Sequence, residues 1–330
     1  MSEFKRILIT GSSGFVGGWL APMIADAFGS AQRFALRSAA PATEDPAWTI
    51  LQADICDAAA VDAAIERARP DLVVHLAAQA SIKQMLGASE MTWRTNFIGA
   101  YNLAASLARR NLAPVFFFSS SALVYGAGLR NGTVDESVTP QPLDPYSHSK
   151  FAAELALADI LPPASRLLIA RPVNHSGPGQ RSRNFVLSSF AAQIAAIEAG
   201  QTEPRLVVGD LNRLRDFLDV RDVTNAYLAL IRRGATLEPG AHVFNVASGQ
   251  PQTIAAMLET LRRASRRDFE ICVDPVLLRP SALDIASIAC DASALRDATG
   301  WRPKHSVDDM LMSLLEDWRR LIRSGEMSAP

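Results

Sequence analysis

The sequence predicts a doubly wound α/β fold, in which a parallel sheet carries helices on both faces and a smaller α/β lobe follows. Apolar runs typical of buried parallel strands alternate with helical segments through residue 170. The first of these strands, residues 5–10, leads directly into a glycine-rich turn and a helix that reaches about residue 28. After residue 170 the spacing becomes irregular. We therefore expect two lobes, 1–172 and 173–330, with residues 210–250 crossing back into the first.

The predicted elements follow in chain order. Further strands are predicted at 33–36, 49–53, 71–76, 115–118 and 166–170, and helices at 57–67, 88–110 and 145–161. The second half predicts helices at 184–200, 220–232, 253–263 and from 306 onward, with strands at 206–208 and 243–246. Pro145 suits a first helical position, where its missing N–H costs nothing. Thr253 and Ser306 are typical N-cap residues.

Composition excludes several classes of function. The 330 residues are 48% hydrophobic with a net charge of −1, which argues against nucleic acid as the main partner. No apolar run reaches the length of a membrane span. The three cysteines lack metal-ligand spacing, so we predict no metal site and reduced thiols in a cytoplasmic protein. The first strand begins within a few residues of the N-terminus, which leaves no room for a signal peptide.

The turn at residues 11–17 has the pattern G-x-x-G-x-x-G between a strand and a helix. Gly11 permits the tight turn, Gly14 lets a pyrophosphate approach, and Gly17 lets the helix pack on the sheet. The N-terminus of the helix offers backbone N–H groups and the positive end of its dipole to a phosphate. Together these features predict dinucleotide binding.

The residue that ends the second strand predicts which dinucleotide binds. Arg37 lies 20 positions after Gly17, where an acidic residue would hold the ribose hydroxyls of NAD. A guanidinium suits the 2′-phosphate instead, so NADP(H) is favoured and NAD(H) is the alternative. Asp54 follows the third strand and is expected either to contact the adenine or to cap the next helix. After the fourth strand, the small residues Ala77 and Ala78 let a cofactor lie against the backbone.

A tyrosine and a lysine at helical spacing are the candidate proton-transfer groups. Tyr146 and Lys150 are four apart, so they lie on one face of the predicted helix. A nearby ammonium favours the phenolate, so we expect Lys150 to lower the pKa of Tyr146 and bring proton exchange toward neutral pH. Ser121 follows the fifth strand, at the edge where open α/β sheets bind ligands. His75, inside the fourth strand, is predicted to be a core residue.

Four separated segments resemble one family: the glycine turn, the stretch around Ser121, the Tyr146–Lys150 pair, and the Arg-Pro-x-Asn sequence that starts at Arg171. They resemble the extended short-chain dehydrogenase/reductase family, in its nucleotide-sugar branch, over nearly the whole chain. The resemblance implies a Rossmann-type fold, a catalytic triad of Ser121, Tyr146 and Lys150, and a homodimer formed through helices near 88–110 and 146–162. The cofactor site that it implies consists of Gly11, Ser13, Gly14, Phe15, Val16, Gly17, Arg37, Asp54, Ile55, Leu76, Ala77, Ala78, Asn96, Tyr146, Lys150 and Pro172.

Longer matches narrow the resemblance. Residues 171–180, 185–186, 191–200 and 208–223 are similar to those of reductases that convert GDP-4-keto-6-deoxy-D-mannose into GDP-D-rhamnose at C4. The resemblance therefore implies a GDP-sugar substrate. The substrate-binding residues that it implies are Gln79, Ser121, Asn174, Phe185, Val186, Ser189, Arg215 and Arg279.

The chemistry of the neighbouring residues argues against a dehydratase. Dehydratases of this family carry a further acid and base just after the catalytic hydroxyl, where this chain has Ala122 and Leu123, which cannot move a proton. Three alternatives stay open. A nucleotide-sugar 4-epimerase with tightly bound NAD uses the same triad. A reductase that delivers hydride to the opposite face gives GDP-6-deoxy-D-talose. A non-enzymatic NADP sensor would not need Tyr146 and Lys150.

Overall fold

A computed structural model describes residues 4–39, 46–80, 89–278 and 285–327. Seven parallel strands form its central sheet: β1 (Arg6–Thr10), β2 (Gln32–Arg37), β3 (Thr49–Gln52), β4 (Leu72–His75), β5 (Val115–Ser119), β6 (Arg166–Pro172) and β11 (Gly240–Val246). From edge to edge their order is β11-β6-β5-β4-β1-β2-β3. The order reverses at β1, as in a doubly wound sheet, and the predicted fold class is confirmed.

The helices of the described residues are α1 (Phe15–Ala27), α2 (Ala58–Ala68), α3 (Ser89–Trp93), α4 (Gly99–Arg109), α5 (Pro145–Ile160), α6 (Val186–Glu198), α7 (Val220–Gly234), α8 (Ile254–Ala264), α9 (Ser293–Thr299) and α10 (Val307–Ser324). The single helix predicted at 88–110 is interrupted by a π-helical turn, Arg94–Ile98, between α3 and α4. The predicted caps are confirmed: Pro145 begins α5, while Thr253 and Ser306 cap α8 and α10. No helix in the described ranges is long and apolar enough to cross a membrane.

Both faces of the central sheet are buried, which explains why its strands are apolar throughout. Along β1, Ile7 and Ile9 point to one face and Leu8 to the other. Helices α1 and α7 cover the first face, and α2, α4 and α5 cover the second. His75 on β4 is a core residue, as predicted, and its Nδ1 lies 2.7 Å from the Thr10 hydroxyl oxygen.

The second half builds three small sheets beside the large one. Their strands are β7 (Asn174–Ser176), β8 (Arg205–Val208), β9 (Leu214–Arg215), β10 (Phe217–Asp219), β12 (Gln252–Thr253), β13 (Glu270–Val273) and β14 (Ser287–Ile288). A separate hydrophobic cluster, centred on the fully buried Trp318, joins α6, α8 and α10. The chain also returns to the first half, because β11 pairs with β6 along its whole length.

Candidate active site

The glycine turn after β1 begins the candidate site. Gly11 has φ +73°, and a Cβ there would lie 2.6 Å from the Ala77 backbone nitrogen, so only glycine fits. A Cβ on Gly17 would lie 2.1 Å from the Gly11 carbonyl oxygen, so this glycine lets α1 start against the turn. Helix α1 has neither a side-chain cap nor an acidic residue in its first turn. Its N-terminus is therefore suited to an anionic pyrophosphate.

The predicted cofactor residues of this turn lie around that uncapped N-terminus. Ser13 and Gly14 are exposed, while Phe15 and Val16 are half-buried at the start of α1. Arg37, at the end of β2, reaches the same turn, because its Nε donates a hydrogen bond of 3.0 Å to the Ser12 hydroxyl. A cation thus lies beside the turn that would hold the cofactor.

The loops after β3 and β4 form the adjoining wall. Asp54 is exposed and accepts a hydrogen bond of 2.9 Å from the Cys56 N–H, whereas Asp57 caps α2. Of the two roles expected for Asp54, capping is therefore wrong. The Ile55 side chain is buried against Gly99 and its carbonyl accepts a hydrogen bond from Asn102, so its contact with a cofactor stays a prediction. After β4, Leu76, Ala77 and Ala78 are half-buried. The remaining predicted residue of this wall, Pro172 at the end of β6, is buried.

The Asn96 side chain is hydrogen-bonded to groups of the protein on two neighbouring segments. Its Oδ1 accepts from the Gln79 N–H at 2.8 Å, and its Nδ2 donates to the Gln79 carbonyl and to the Ser149 hydroxyl. Ser149 in turn donates to the Tyr146 carbonyl at 2.8 Å. Asn96 lies in the π-helical turn and is fully buried. It connects the loop after β4 to the start of α5, and its contact with a cofactor stays a prediction.

Replacing Asn96 by Ala is expected to destabilise the fold by about 2–4 kcal/mol, because buried partners lose hydrogen bonds. We expect kcat to fall as well, since the Tyr146 turn loses its connection to Gln79. Urea unfolding and steady-state kinetics measure the two effects. Asn102→Ala is the matched control: Asn102 makes one hydrogen bond, to the Ile55 carbonyl, so we expect a smaller stability loss and an unchanged kcat. Equal effects of the two variants would contradict this interpretation.

The three predicted catalytic residues converge at the carboxyl edge of the sheet. Ser121 follows β5 and is the N-cap of a 3-10 helix, Ala122–Asn131. Tyr146 lies in the first turn of α5, which Asp144 and Ser147 fix through a capping box. The Ser121 hydroxyl lies near the Tyr146 phenol and acts to lower its pKa. This pair places a proton donor beside a second hydroxyl at the predicted ligand-binding edge.

Lys150 lies beneath these two hydroxyls and is only 2% exposed. Its ammonium donates a hydrogen bond of 2.7 Å to the Ser119 carbonyl and lies 4.7 Å from the centre of the Phe118 ring. Burial lowers the pKa of Lys150 to about 7, while the charge of Glu154 opposes this shift. Lys150 is therefore a lysine whose charge can change near neutral pH.

The expected pKa shift of Tyr146 is wrong in direction. Burial raises the pKa of Tyr146 to about 12, outweighing the opposite effect of the Ser121 hydroxyl, and the charge of Asp144 raises it further. The ammonium of Lys150 is directed at the Ser119 carbonyl. Spacing of four along a helix predicted that the two side chains share a face, but it did not predict how deeply the phenol is buried.

The predicted substrate residues lie at the entrance to the second lobe. Asn174 is in β7, where the neighbouring His175 ring stacks on Phe15 at 6.2 Å between ring centres. Phe185 is the N-cap of α6 and Val186 is its first residue. Ser189 lies in the first turn of the same helix and accepts a hydrogen bond from Gln193. All three residues therefore lie at the N-terminal end of α6.

Two arginines, Arg215 and Arg279, are the predicted cations for the diphosphate. Arg215 is nearly buried and donates to the Leu214 carbonyl at 2.8 Å and to the Ala286 carbonyl at 3.3 Å. It therefore joins β9 to the segment before β14, and its role in binding a diphosphate stays a prediction. Arg279 lies outside the described residues. Among the described ranges no group of three His, Cys, Asp or Glu side chains could hold a metal ion.

Sequence reasoning missed a buried charge pair under the triad. Glu154, four residues after Lys150 on α5, pairs with Arg171 at the end of β6, and both are buried. The spacing of Tyr146, Lys150 and Glu154 was a usable signal, because residues four apart share a helix face.

Comparison with known proteins places this geometry in a family. The NAD dependent epimerase/dehydratase family matches residues 7–247. GDP-6-deoxy-D-mannose reductase of Pseudomonas aeruginosa is 38% identical over 256 residues, which cover 77% of this chain and 82% of the relative. The solved structure of RMD from Pseudomonas aeruginosa complexed with NADPH is 34% identical in sequence and has a TM-score of 0.78. The superposition covers 96% of this chain and 100% of the RMD chain.

A more distant likeness concerns the fold alone. UDP-glucose 4-epimerase from Bifidobacterium longum, in complex with NAD+ and UDP, superposes with a TM-score of 0.82 at 20% identity, over 97% of this chain and 99% of its own. The family match extends from β1 to the end of β11 and so includes the glycine turn, the triad and every strand of the central sheet. The chain therefore belongs to the NAD dependent epimerase/dehydratase family.

Proposed function

We propose that this chain is an NADPH-dependent reductase that converts GDP-4-keto-6-deoxy-D-mannose into GDP-D-rhamnose by reducing its C4 ketone. The observation that carries the proposal is the convergence of Tyr146, Ser121 and the buried Lys150 at the sheet edge that also bears the dinucleotide turn. Similarity to Pseudomonas aeruginosa GDP-6-deoxy-D-mannose reductase supports the substrate. The NADPH complex of RMD supports the cofactor.

The proposed mechanism assigns one role to each residue of the triad. NADPH, when bound, supplies the hydride for C4. Tyr146 gives its proton to the C4 oxygen as negative charge develops there, and its high pKa suits this direction because the phenol must begin protonated. Ser121 donates a hydrogen bond to the same oxygen and orients the carbonyl. The Lys150 ammonium, buried close by, stabilises the negative charge left on Tyr146.

We propose that residues 1–172, with α7 and β11, hold the cofactor, and that the lobe from residue 173 holds the nucleotide sugar. The ends of β1, β4 and β5 lie at one edge of the central sheet, which supports the first assignment. The half-exposed start of α6 supports the second. The residues proposed to contact the GDP-sugar are Gln79, Ser121, Asn174, Phe185, Val186, Ser189, Arg215 and Arg279.

One observation favours a reductase over the epimerase alternative, and a second argues against a dehydratase. An epimerase retains its NAD through turnover, whereas a reductase exchanges NADPH, and Arg37 beside Ser12 suits a 2′-phosphate. The residues that follow Ser121 are the buried Ala122 and the half-buried Leu123, neither of which exchanges protons. Elimination of water, which needs an additional acid and base, is therefore not part of the proposed activity.

The test is NADPH oxidation, followed by absorbance, with enzymatically prepared GDP-4-keto-6-deoxy-D-mannose. We expect multiple turnovers and stoichiometric loss of the ketone. Tightly bound NAD released on denaturation, with no NADPH oxidation, would contradict the reductase and favour the epimerase. NMR of the product separates GDP-D-rhamnose from GDP-6-deoxy-D-talose, which differ only at C4. We also propose a cytoplasmic location, which the three free cysteines support.

A homodimer is part of the proposal. Exposed apolar side chains cluster on the α3–α4 segment and on α5: Met91, Trp93, Ile98, Tyr101 and Leu155. These are the two helical segments expected to pair between copies. Met91 is 54% and Leu155 is 53% exposed, which is unusual for large apolar residues on one face and typical of an interface. This exposed surface lies on the same helices through which the family resemblance implies a homodimer, which supports a second copy of the chain as its partner.

Leu155→Glu is expected to convert the dimer into monomers, because burying an unpaired carboxylate in an apolar interface costs several kcal/mol. Light scattering coupled to size-exclusion chromatography measures the mass. Val276→Glu is the matched control, since Val276 is 87% exposed but lies on a different surface, in a 3-10 turn. A monomeric native protein, or a Leu155→Glu variant that remains dimeric, would contradict the proposed interface.

A further inference from the structure

We propose that the buried Glu154–Arg171 pair is a positioning device for the triad, in which the Glu154 carboxylate favours the charged form of Lys150. This inference rests on the proposed function for its catalytic meaning. The placement itself rests on contacts within the chain. Tyr146, Lys150 and Glu154 lie at successive intervals of four on α5, so the charge pair continues the catalytic face of the helix inward.

The Glu154 carboxylate is fixed from three directions. It is 4% exposed, and its Oε2 accepts from Arg171 Nη2 at 2.6 Å while its Oε1 accepts from Arg171 Nε at 3.1 Å. The Ser120 hydroxyl donates a further hydrogen bond to Oε1. Ser120 directly precedes Ser121 and follows Ser119, whose carbonyl holds Lys150. The carboxylate is thus bonded to the segment that supplies the catalytic hydroxyl.

Arg171 is held in turn by groups that keep it away from Lys150. Its guanidinium lies 4.9 Å from the centre of the Tyr125 ring, and the Tyr125 hydroxyl donates to the Asn245 side-chain carbonyl at 2.8 Å. Asn245 is on β11, so this network extends from α5 across β6 to the edge strand. The arrangement places the anion of the pair, rather than its cation, on the helix that carries Lys150.

The other titratable groups around Lys150 do not supply this negative charge. His75 on β4 is buried, with a pKa lowered to about 3 by burial and by the charge of Lys150, so it is neutral. Tyr146 is a phenol whose pKa is raised to about 12, and Tyr227 of α7 has its pKa raised further by burial. Arg171 is positively charged, and its charge disfavours the positively charged form of Lys150. Among these neighbours only the carboxylate of Glu154 favours the charged form of Lys150, and its effect opposes that of burial.

The consequence concerns the proton transfer. When Tyr146 gives up its proton, the phenolate that forms is stabilised by a nearby ammonium and not by a neutral amine. With its pKa at about 7, Lys150 is about half charged near neutral pH, and the loss of a neighbouring anion would lower that fraction. Glu154 does not contact the reacting atoms, so it is a positioning residue that acts through Lys150.

The chain offers a direct measurement of the charge of Lys150. It contains four lysines, Lys5, Lys83, Lys150 and Lys304, so protein labelled with [ε-13C]lysine gives few NMR signals, and Lys150→Met assigns the one of interest. The midpoint of its pH titration is measured in native protein and in Glu154→Gln. We expect the midpoint to fall by about one pH unit in the variant, as the loss of a neighbouring carboxylate in a buried site implies.

Matched variants separate this electrostatic role from a structural one. Glu198→Gln breaks a similar buried pair with Arg319, whose hydrogen bonds are 2.6 and 2.7 Å, in the second lobe. We expect it to lower thermal stability but to leave the Lys150 midpoint unchanged. If Glu154→Gln does not fold, the double variant Glu154→Gln/Arg171→Met removes both charges at similar volume, and we again expect a lower midpoint. An unchanged midpoint in a folded Glu154 variant overturns the proposal.

Kinetics provide the second readout. The alkaline limb of kcat against pH is expected to move to lower pH in Glu154→Gln and to stay in place in Glu198→Gln, with the KM for the keto sugar unchanged in both. A folded Glu154→Gln variant with an unshifted alkaline limb overturns the catalytic part of the inference. If the native protein does not oxidise NADPH, the proposed function fails, and the NMR titration still decides whether Glu154 favours the charged form of Lys150.

Discussion

Replacing Tyr146 by Phe is expected to lower kcat for NADPH oxidation by about a thousandfold, within the range that a positioned general acid supplies. The substitution removes one oxygen, which lies near the Ser121 hydroxyl, and leaves the ring and the first turn of α5 unchanged. The hydride can still be presented to C4, but the developing alkoxide has no proton donor of suitable reach. The affinity for NADPH should change little, because the glycine turn and Arg37 are untouched.

Single-turnover kinetics with the keto sugar separate this chemical step from product release. NADPH affinity is followed by fluorescence, and thermal unfolding verifies the fold of the variant. Ser121→Ala is the companion variant: it removes the second hydroxyl but keeps the acid, so we expect a smaller loss, about a hundredfold. A Tyr146→Phe variant that retains more than a tenth of native kcat would show that the proton comes from another group, and the triad assignment would be wrong.

The parts of the site that the sequence predicted are those with strong local rules. A strand that leads into a glycine turn and a helix allows few geometries, and the structure places Gly11 at positive φ and Gly17 against the Gly11 carbonyl. The capping signals at Pro145 and Ser306 predicted where α5 and α10 begin. In each of these cases the determining contacts are between residues close in sequence.

The parts that were missed depend on contacts between distant segments. The pairing of Glu154 with Arg171 joins a helix to a strand, and the hydrogen bonds of Asn96 join a π-helical turn to Gln79. The pKa of Tyr146 depends on how many groups surround the phenol, which sequence spacing does not report. Two-residue strands such as β9 are missed for a different reason: two residues carry no periodicity.

The second large effect is expected at Arg37, the residue on which the preference for NADP(H) depends. A guanidinium binds a phosphate through charge-assisted hydrogen bonds of about 1.5–3 kcal/mol, so Arg37→Ala should lower kcat/KM for NADPH about 10- to 100-fold. The value for NADH should change little, because NADH lacks the 2′-phosphate. The hydrogen bond from Arg37 to the Ser12 hydroxyl already orients the guanidinium at the dinucleotide turn, which reduces the entropy lost on binding.

The measurement is the ratio of kcat/KM for NADPH to that for NADH, in native protein, Arg37→Ala and Arg33→Ala. Arg33 is the matched control, since it lies on the same strand but its guanidinium is bonded to the carbonyls of Phe28, Gly29 and Ala47. Losing it should lower stability and leave the ratio unchanged. The salt dependence gives a further check, because screening weakens the contact with the 2′-phosphate and not the hydride transfer. A native protein that uses both cofactors equally, with a ratio insensitive to Arg37, would remove the main argument for an exchanging reductase over an epimerase with bound NAD.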